Sequence, residues 1–177
     1  MKPVLMIHEV SDQIFNLPLQ DYILTFDDGL YSQYKIHDRL LSINTTKIFF
    51  ISTNIVAEEH TKQNDAIVDC ATCHERFFNS GDVSNYMNWE QILELSRLDQ
   101  FYIGGHSHNH HRPEFGSVIS DTRAMMNTFK SYDLSPVEFC FPYNHYCEVY
   151  KRVLTNYGFV NFYGKERTPI EDLYEHS

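Results

Sequence analysis

What this sequence has little of narrows it first. No stretch approaches the ~20 consecutive apolar residues that a membrane-crossing helix needs. The opening run Val4-Leu5-Met6-Ile7 is broken by His8 and Glu9 before it reaches signal-peptide length. The expectation is a soluble, cytoplasmic protein with no transmembrane segment. Basic residues are scarce too: 14 Lys and Arg stand against 24 Asp and Glu, for a formal net charge of −10. That balance disfavours nonspecific attraction to nucleic acid or to an anionic membrane surface. Cysteine occurs only four times, and in a cytoplasmic setting those residues read as thiols rather than a disulfide framework.

What is present is globular. A chain of 177 residues, 42% hydrophobic and 15% aromatic, suits one domain over 1–177 with a sizeable core. The less orderly stretch 55–87 reads as an insertion, and the residues from Arg167 to the end (167–177) read as a short surface tail.

The stretch that organises the rest is Tyr22-Ile23-Leu24-Thr25-Phe26-Asp27-Asp28-Gly29. Its apolar part reads as a buried strand, and it ends in two adjacent carboxylates. In a sheet whose strands alternate with helices, the C-terminal strand ends form the ligand-facing mouth. Gly29 then permits a sharp turn there. Aspartate is also favoured at plain turns and helix caps. Two neighbouring carboxylates can nevertheless divide the labour of a metal hydrolase, one holding the cation and the other taking a proton from the attacking water.

A second block, Gly104-Gly105-His106-Ser107-His108-Asn109-His110, follows the apolar run Phe101-Tyr102-Ile103 and belongs at another strand end. His106 and His110 are spaced i, i+4, which predicts two imidazoles on one face of a helical turn. With Asp28 they supply two nitrogens and one oxygen, leaving positions open for water and substrate as catalytic zinc sites do.

The surrounding elements alternate. Val4 to His8 reads as the first strand and delivers His8 to the same mouth as Asp28. The segment 11–21 is a polar connection, and a helix is predicted from Tyr31 to Ser42. A fully apolar strand, Lys47 to Ser52, suits a parallel strand covered on both faces. A helix capped by Asn88 carries Trp89, Ile92 and Leu95 on one face. Further helices are expected over Ser117 to Tyr132 and Tyr146 to Tyr157, with strands at Glu138 to Phe141 and Val160 to Tyr163. This alternation argues for the α/β class.

Cys70-Ala71-Thr72-Cys73-His74 matches the c-type haem attachment pattern, but attachment requires an export route that the N-terminus does not show. A structural metal knuckle from Cys70 and Cys73, joined by His74, Cys140 or Cys147, is a second reading. Free thiols beside the active-site mouth are the leading one.

Three blocks in order, Thr25-Phe26-Asp27-Asp28-Gly29, His106-Ser107-x-x-His110 and Phe139-x-Phe141-Pro142-Tyr143, resemble the polysaccharide deacetylase domain (NodB homology, carbohydrate esterase family 4). The resemblance runs from Met6-Ile7-His8 to about Phe159 and implies a distorted (β/α) barrel. It further implies Asp27 as catalytic base, Asp28, His106 and His110 as ligands of a divalent metal ion, and an acyl pocket lined by Pro142 and Tyr143. The Tyr143 backbone N–H is the implied oxyanion donor. The donor set suits zinc foremost, with cobalt, nickel, iron or manganese also acceptable.

The chain departs from that family where many members carry an arginine steadying the catalytic aspartate: here stands Cys140, with Arg112 as a speculative replacement. Asn144 stands where glycine is common. The late tryptophan motif and a final strand bearing a general-acid histidine are not visible, which leaves His8, His145, His37 and His176 as candidates to protonate the leaving group.

The function expected is removal of an N-acyl group, acetyl or formyl, from a sugar or glycan precursor in surface polysaccharide or lipopolysaccharide (O-antigen) synthesis. A second reading, prompted by the missing arginine and the unassigned general acid, is a deacetylase-like domain that binds carbohydrate without hydrolysing it. A third is hydrolysis of a non-sugar amide.

Overall fold

A computed structural model describes residues 1–176 of the chain. Seven strands form one sheet: β1 (Val4–Ile7), β2 (Ile23–Phe26), β3 (Lys47–Ile51), β4 (Phe101–Gly105), β5 (Glu138–Cys140), β6 (Asn161–Tyr163) and β7 (Thr168–Pro169). Their order is β6-β5-β4-β3-β2-β1-β7, and every pairing is parallel. The sheet curls into an incomplete, distorted (β/α) barrel, as expected.

The helices are α1 (Tyr31–Lys35), α2 (His37–Leu41), α3 (Cys70–Ser80), α4 (Trp89–Ser96), α5 (Val118–Ser131), α6 (Glu148–Asn156) and α7 (Ile170–Tyr174). Central strands are apolar because both faces are covered: Phe26 stacks on Phe49 at 4.7 Å between centroids, and Phe49 on Phe101 at 5.7 Å. On α4, Asn88 and Gln91 cap each other reciprocally, while Ile92 and Leu95 enter the core. Met125 and Phe129 do the same from α5.

Four expectations are corrected. The helix predicted over 31–42 is two short helices that break at Ile36. The connection 11–21 is not merely polar, since two short 3-10 turns bury Ile14 and Leu19. The stretch 55–87 holds α3, whose N-cap is the Asp69 side chain. The residues after Arg167 are not a surface arm: β7 pairs with β1, and Ile170 is buried.

The register sets the site. Ile7 lies opposite Phe26, so His8 and Asp27 leave β1 and β2 side by side, with the Asp27 N–H donating to the Ile7 carbonyl. Gly105 lies opposite both Ile51 and Phe139, so His106 emerges between β3 and β5. Gly104 and Gly105 allow this crowding: a Cβ on Gly104 would stand 2.6 Å from the Phe50 ring and 2.9 Å from the Glu138 carbonyl.

Candidate active site

At the C-terminal end of the sheet, His8, Asp27, Asp28, Cys70, His74, His106, His110 and Tyr143 are among the residues around a cavity of about 200 Å³. Asp28 and Gly29 both turn through positive φ, +76° and +66°, which swings the second carboxylate back over the strand end. Its Oδ1 is faced by Nε2 of His106 at 3.1 Å and Nε2 of His110 at 3.1 Å. The two histidines reach this point without a helix, contrary to the i, i+4 expectation. Ser107 and His110 adopt positive φ, and residues 106–109 lie alongside the end of β3 instead.

That loop is fixed by hydrogen bonds. Ser52 Oγ donates to the His106 carbonyl at 2.8 Å, and the N–H groups of Thr53 and Asn54 donate to the carbonyls of Ser107 and His108. From α5, the buried carboxylate of Asp121 accepts from the N–H of His108 at 2.9 Å and of Asn109 at 3.1 Å. His108 is held by Thr53 Oγ1 at 2.7 Å and does not face Asp28.

The donor set fits a divalent cation. His106 Nδ1 donates to the Cys140 carbonyl at 2.7 Å, which leaves Nε2 as the nitrogen turned toward Asp28. Burial lowers the His106 imidazole, but Cys140 and the Asp28 carboxylate outweigh it and hold it well above its ordinary value, so a proton on Nε2 bridges to Asp28 Oδ1 at 3.1 Å, and a bound cation would take that proton's place. Burial raises the Asp28 carboxyl, but the histidines around it outweigh burial and hold it well below the usual carboxylate range. Burial pushes the His110 imidazole down to about 4, so it stays neutral, as a ligand must. Ligand atoms of Asp28, His106 and His110 all lie within 4.8 Å of one another.

Asp27 is held differently. Arg167 closes a two-pronged bond on it, Nη1 to Oδ1 at 2.7 Å and Nη2 to Oδ2 at 2.8 Å. Burial raises the Asp27 carboxyl, and the guanidinium brings it below its ordinary value, so it is ionised at neutral pH. The same guanidinium touches Thr25 Oγ1, the Asn144 side-chain oxygen and Cys140 Sγ, the last at 3.1 Å. Arg167 therefore fills the space beside Cys140 from the turn between β6 and β7. Arg112 does not replace the absent arginine; it lies over the Tyr143 ring at 4.9 Å.

His8 Nε2 lies 3.6 Å from Asp27 Oδ2 and 3.9 Å from Asp28 Oδ2. Gln33, wholly buried, donates to the carbonyls of His8 and Asp27 and ties β1 to β2 beneath the site. Tyr143 adopts φ 59° and Asn144 φ 54°, a left-handed turn that an Asn tolerates. Of the other candidate acids, His37 on α2 contacts the Tyr34 carbonyl of α1 and His145 contacts Glu114, both outside the cavity lining.

No protein-family model matches the sequence, and no curated protein matches it either. Solved structures do. IcaB from Ammonifex degensii superposes with a TM-score of 0.66 at 17% identity, over 95% of this chain and 84% of that one. A de-N-acetylase from Aggregatibacter actinomycetemcomitans gives 0.60 at 14% identity, over 90% and 76%. A polysaccharide deacetylase from Bacillus cereus gives 0.64 at 12% identity, over 92% and 57%. The chain has the polysaccharide deacetylase fold.

Within that deacetylase fold, Cys70 and Cys73 share no set of converging ligand atoms among the described residues, which removes the metal-knuckle reading of the CxxCH run. Cys70 and Cys73 are free thiols on α3; Cys70 lines the cavity and Cys73 packs with Leu30, Ile55 and Tyr86. His74, not singled out by any motif for this site, comes within 3.3 Å of Asp28 Oδ1. Arg167 was equally hidden, because no spacing in the sequence links it to Asp27.

Proposed function

We propose that this protein is a divalent-metal-dependent hydrolase that removes an N-acyl group, acetyl first, from a sugar of a glycan or glycan precursor. The observation that carries the reading is the pairing of two buried aspartates with opposite partners: Asp28 among imidazoles, Asp27 clamped by Arg167. A cation on Asp28, His106 and His110 supplies Lewis acidity to the acyl carbonyl and to the attacking water. Zinc is the ion such a two-histidine, one-carboxylate set suits first.

Each residue then has a task. Asp27, free of the ligand set and kept ionised, accepts a proton from water. The Tyr143 N–H donates to the oxygen on which negative charge develops. His8, the histidine of the four candidate acids that lines the cavity, donates a proton to the departing amine. Arg167 holds Asp27 in place; its presence answers one of the two grounds for a non-hydrolysing carbohydrate binder, the missing arginine, and the role proposed for His8 answers the other, the unassigned general acid.

A sugar fits the approach. A cavity of about 670 Å³ adjoins the site through His110 and Tyr143, and Phe78 and Phe115 stand exposed along it beside Tyr143. Exposed aromatic faces suit the apolar faces of pyranose rings. The Aggregatibacter structure is described as a de-N-acetylase, which supports the same bond as target. As part of this proposal the substrate is a cytoplasmic, nucleotide- or lipid-linked precursor of a surface polysaccharide.

The test is acetate and formate release from N-acyl hexosamines, their oligomers and their nucleotide conjugates. Release that depends on added metal and disappears in Asp28→Ala supports the reading. A metal-loaded protein that releases neither acid from any of these substrates contradicts it.

A further inference from the structure

α3 lies over the mouth of the barrel and carries a third imidazole to the same carboxylate oxygen. His74 Nε2 stands 3.3 Å from Asp28 Oδ1, beside the 3.1 Å approaches of His106 and His110. The residue is only 8% exposed. Its ring lies 4.1 Å from that of His110, centroid to centroid.

The orientation of the His74 ring is set from behind. Nδ1 meets the hydroxyl of Tyr86 at 2.6 Å, and Tyr86, on the loop between α3 and α4, is itself wholly buried. A metal-bound histidine characteristically has its other ring nitrogen anchored in this way. Nε2, by contrast, is buried without a hydrogen-bond partner although a carboxylate oxygen lies close. A buried polar atom left in that condition is destabilising, and an ion bound by both atoms would remove the cost.

The spacing agrees. Two donor atoms bound to one ion at about 2.1 Å, with about 90–110° between the bonds, stand about 3.0–3.4 Å apart. All three nitrogen-to-Asp28 separations fall in that interval; His74 stands outside the set of Asp28, His106 and His110 atoms that all lie within 4.8 Å of one another, so binding draws its ring inward onto the ion.

We propose that His74 is a third imidazole ligand of the metal centre, making the protein's donor set three nitrogens and one carboxylate oxygen. This rests on the reading of Asp28, His106 and His110 as ligands. It also accounts for the histidine of the CxxCH run. Four protein ligands fill a tetrahedral ion, so a working site needs an ion that accepts five or six, as zinc does when it expands to five and as cobalt, nickel, iron and manganese do readily.

The experiment is X-ray absorption on the purified protein loaded with one equivalent of Co(II), counting coordinated imidazoles, with affinity measured against a chelating dye. Three imidazoles in the native protein, two in His74→Ala and in His74→Gln, and at least a tenfold loss of affinity in both are expected. Thermal unfolding in chelator establishes that the variants are folded. Two imidazoles in the native protein with unchanged affinity in folded variants overturns the role of His74 and leaves the Asp28, His106 and His110 set standing. A native protein that holds no Co(II) overturns both.

Discussion

The guanidinium of Arg167 and the carboxylate of Asp27, 140 residues apart in sequence, form a buried two-pronged ion pair with N···O distances of 2.7 and 2.8 Å. Arg167 is 3% exposed. Removing it strands an ionised carboxylate away from water. Arg167→Ala is expected to cost about 3–5 kcal/mol of stability, read from urea denaturation, and Arg167→Lys to recover only part because an ammonium cannot make the planar fork.

The position of Cys140 permits a sharper version of that test. Its Sγ lies 3.1 Å from Arg167 Nη2, so an arginine introduced at 140 would bring its charge to the same carboxylate. Cys140→Arg combined with Arg167→Ala is expected to be more stable and more active than Arg167→Ala alone. Both being equally impaired would show that the link between β6 and β7 matters for more than charge.

Gly104 sets the closeness of β3, β4 and β5 under His106. Gly104→Ala drives a methyl group to 2.6 Å from Phe50 and 2.9 Å from the Glu138 carbonyl. The expected loss is about 1–3 kcal/mol, accompanied by weaker metal binding because β4 delivers His106.

Asp121 orders the histidine loop from outside the site. Asp121→Ala deprives the N–H groups of His108 and Asn109 of their acceptor, at a cost of about 1–3 kcal/mol. Metal affinity should fall although Asp28, His106 and His110 are untouched. Equal affinity in the folded variant would show that the loop holds its shape without this carboxylate.

Much of this was legible locally. Asp27, Asp28 and His106 could be found because each directly follows an apolar strand, and strand ends converge in a parallel sheet. The i, i+4 spacing of His106 and His110 predicted a helix where the chain makes a loop with positive φ at Ser107 and His110; bonding to the end of β3 won over the local period. His74 and Arg167 were not legible as site residues. Each sits in a segment read as peripheral, and only the placement of α3 over the mouth and the pairing of β7 with β1 brings them to the aspartates.

The cap of α3 yields a pH prediction. Asp69 accepts from the Thr72 N–H and hydroxyl, and these bonds hold its carboxyl below the usual value. A carboxyl lowered by folding contributes stability that is present above its unfolded value, about 3.9, and is lost as pH falls through the lower folded value. Asp69→Asn, which still caps the helix, should therefore show a shallower loss of stability in acid than the native protein.

The most direct test of the division between the two aspartates is to measure metal content and acetate release together in Asp27→Asn and Asp28→Ala, using N-acetylglucosamine oligomers or whichever conjugate the native protein hydrolyses. The account predicts that Asp27→Asn keeps its metal and loses acetate release at least a hundredfold, while Asp28→Ala loses the metal and the activity together. Full acetate release by Asp27→Asn, or undiminished metal in Asp28→Ala, would contradict it.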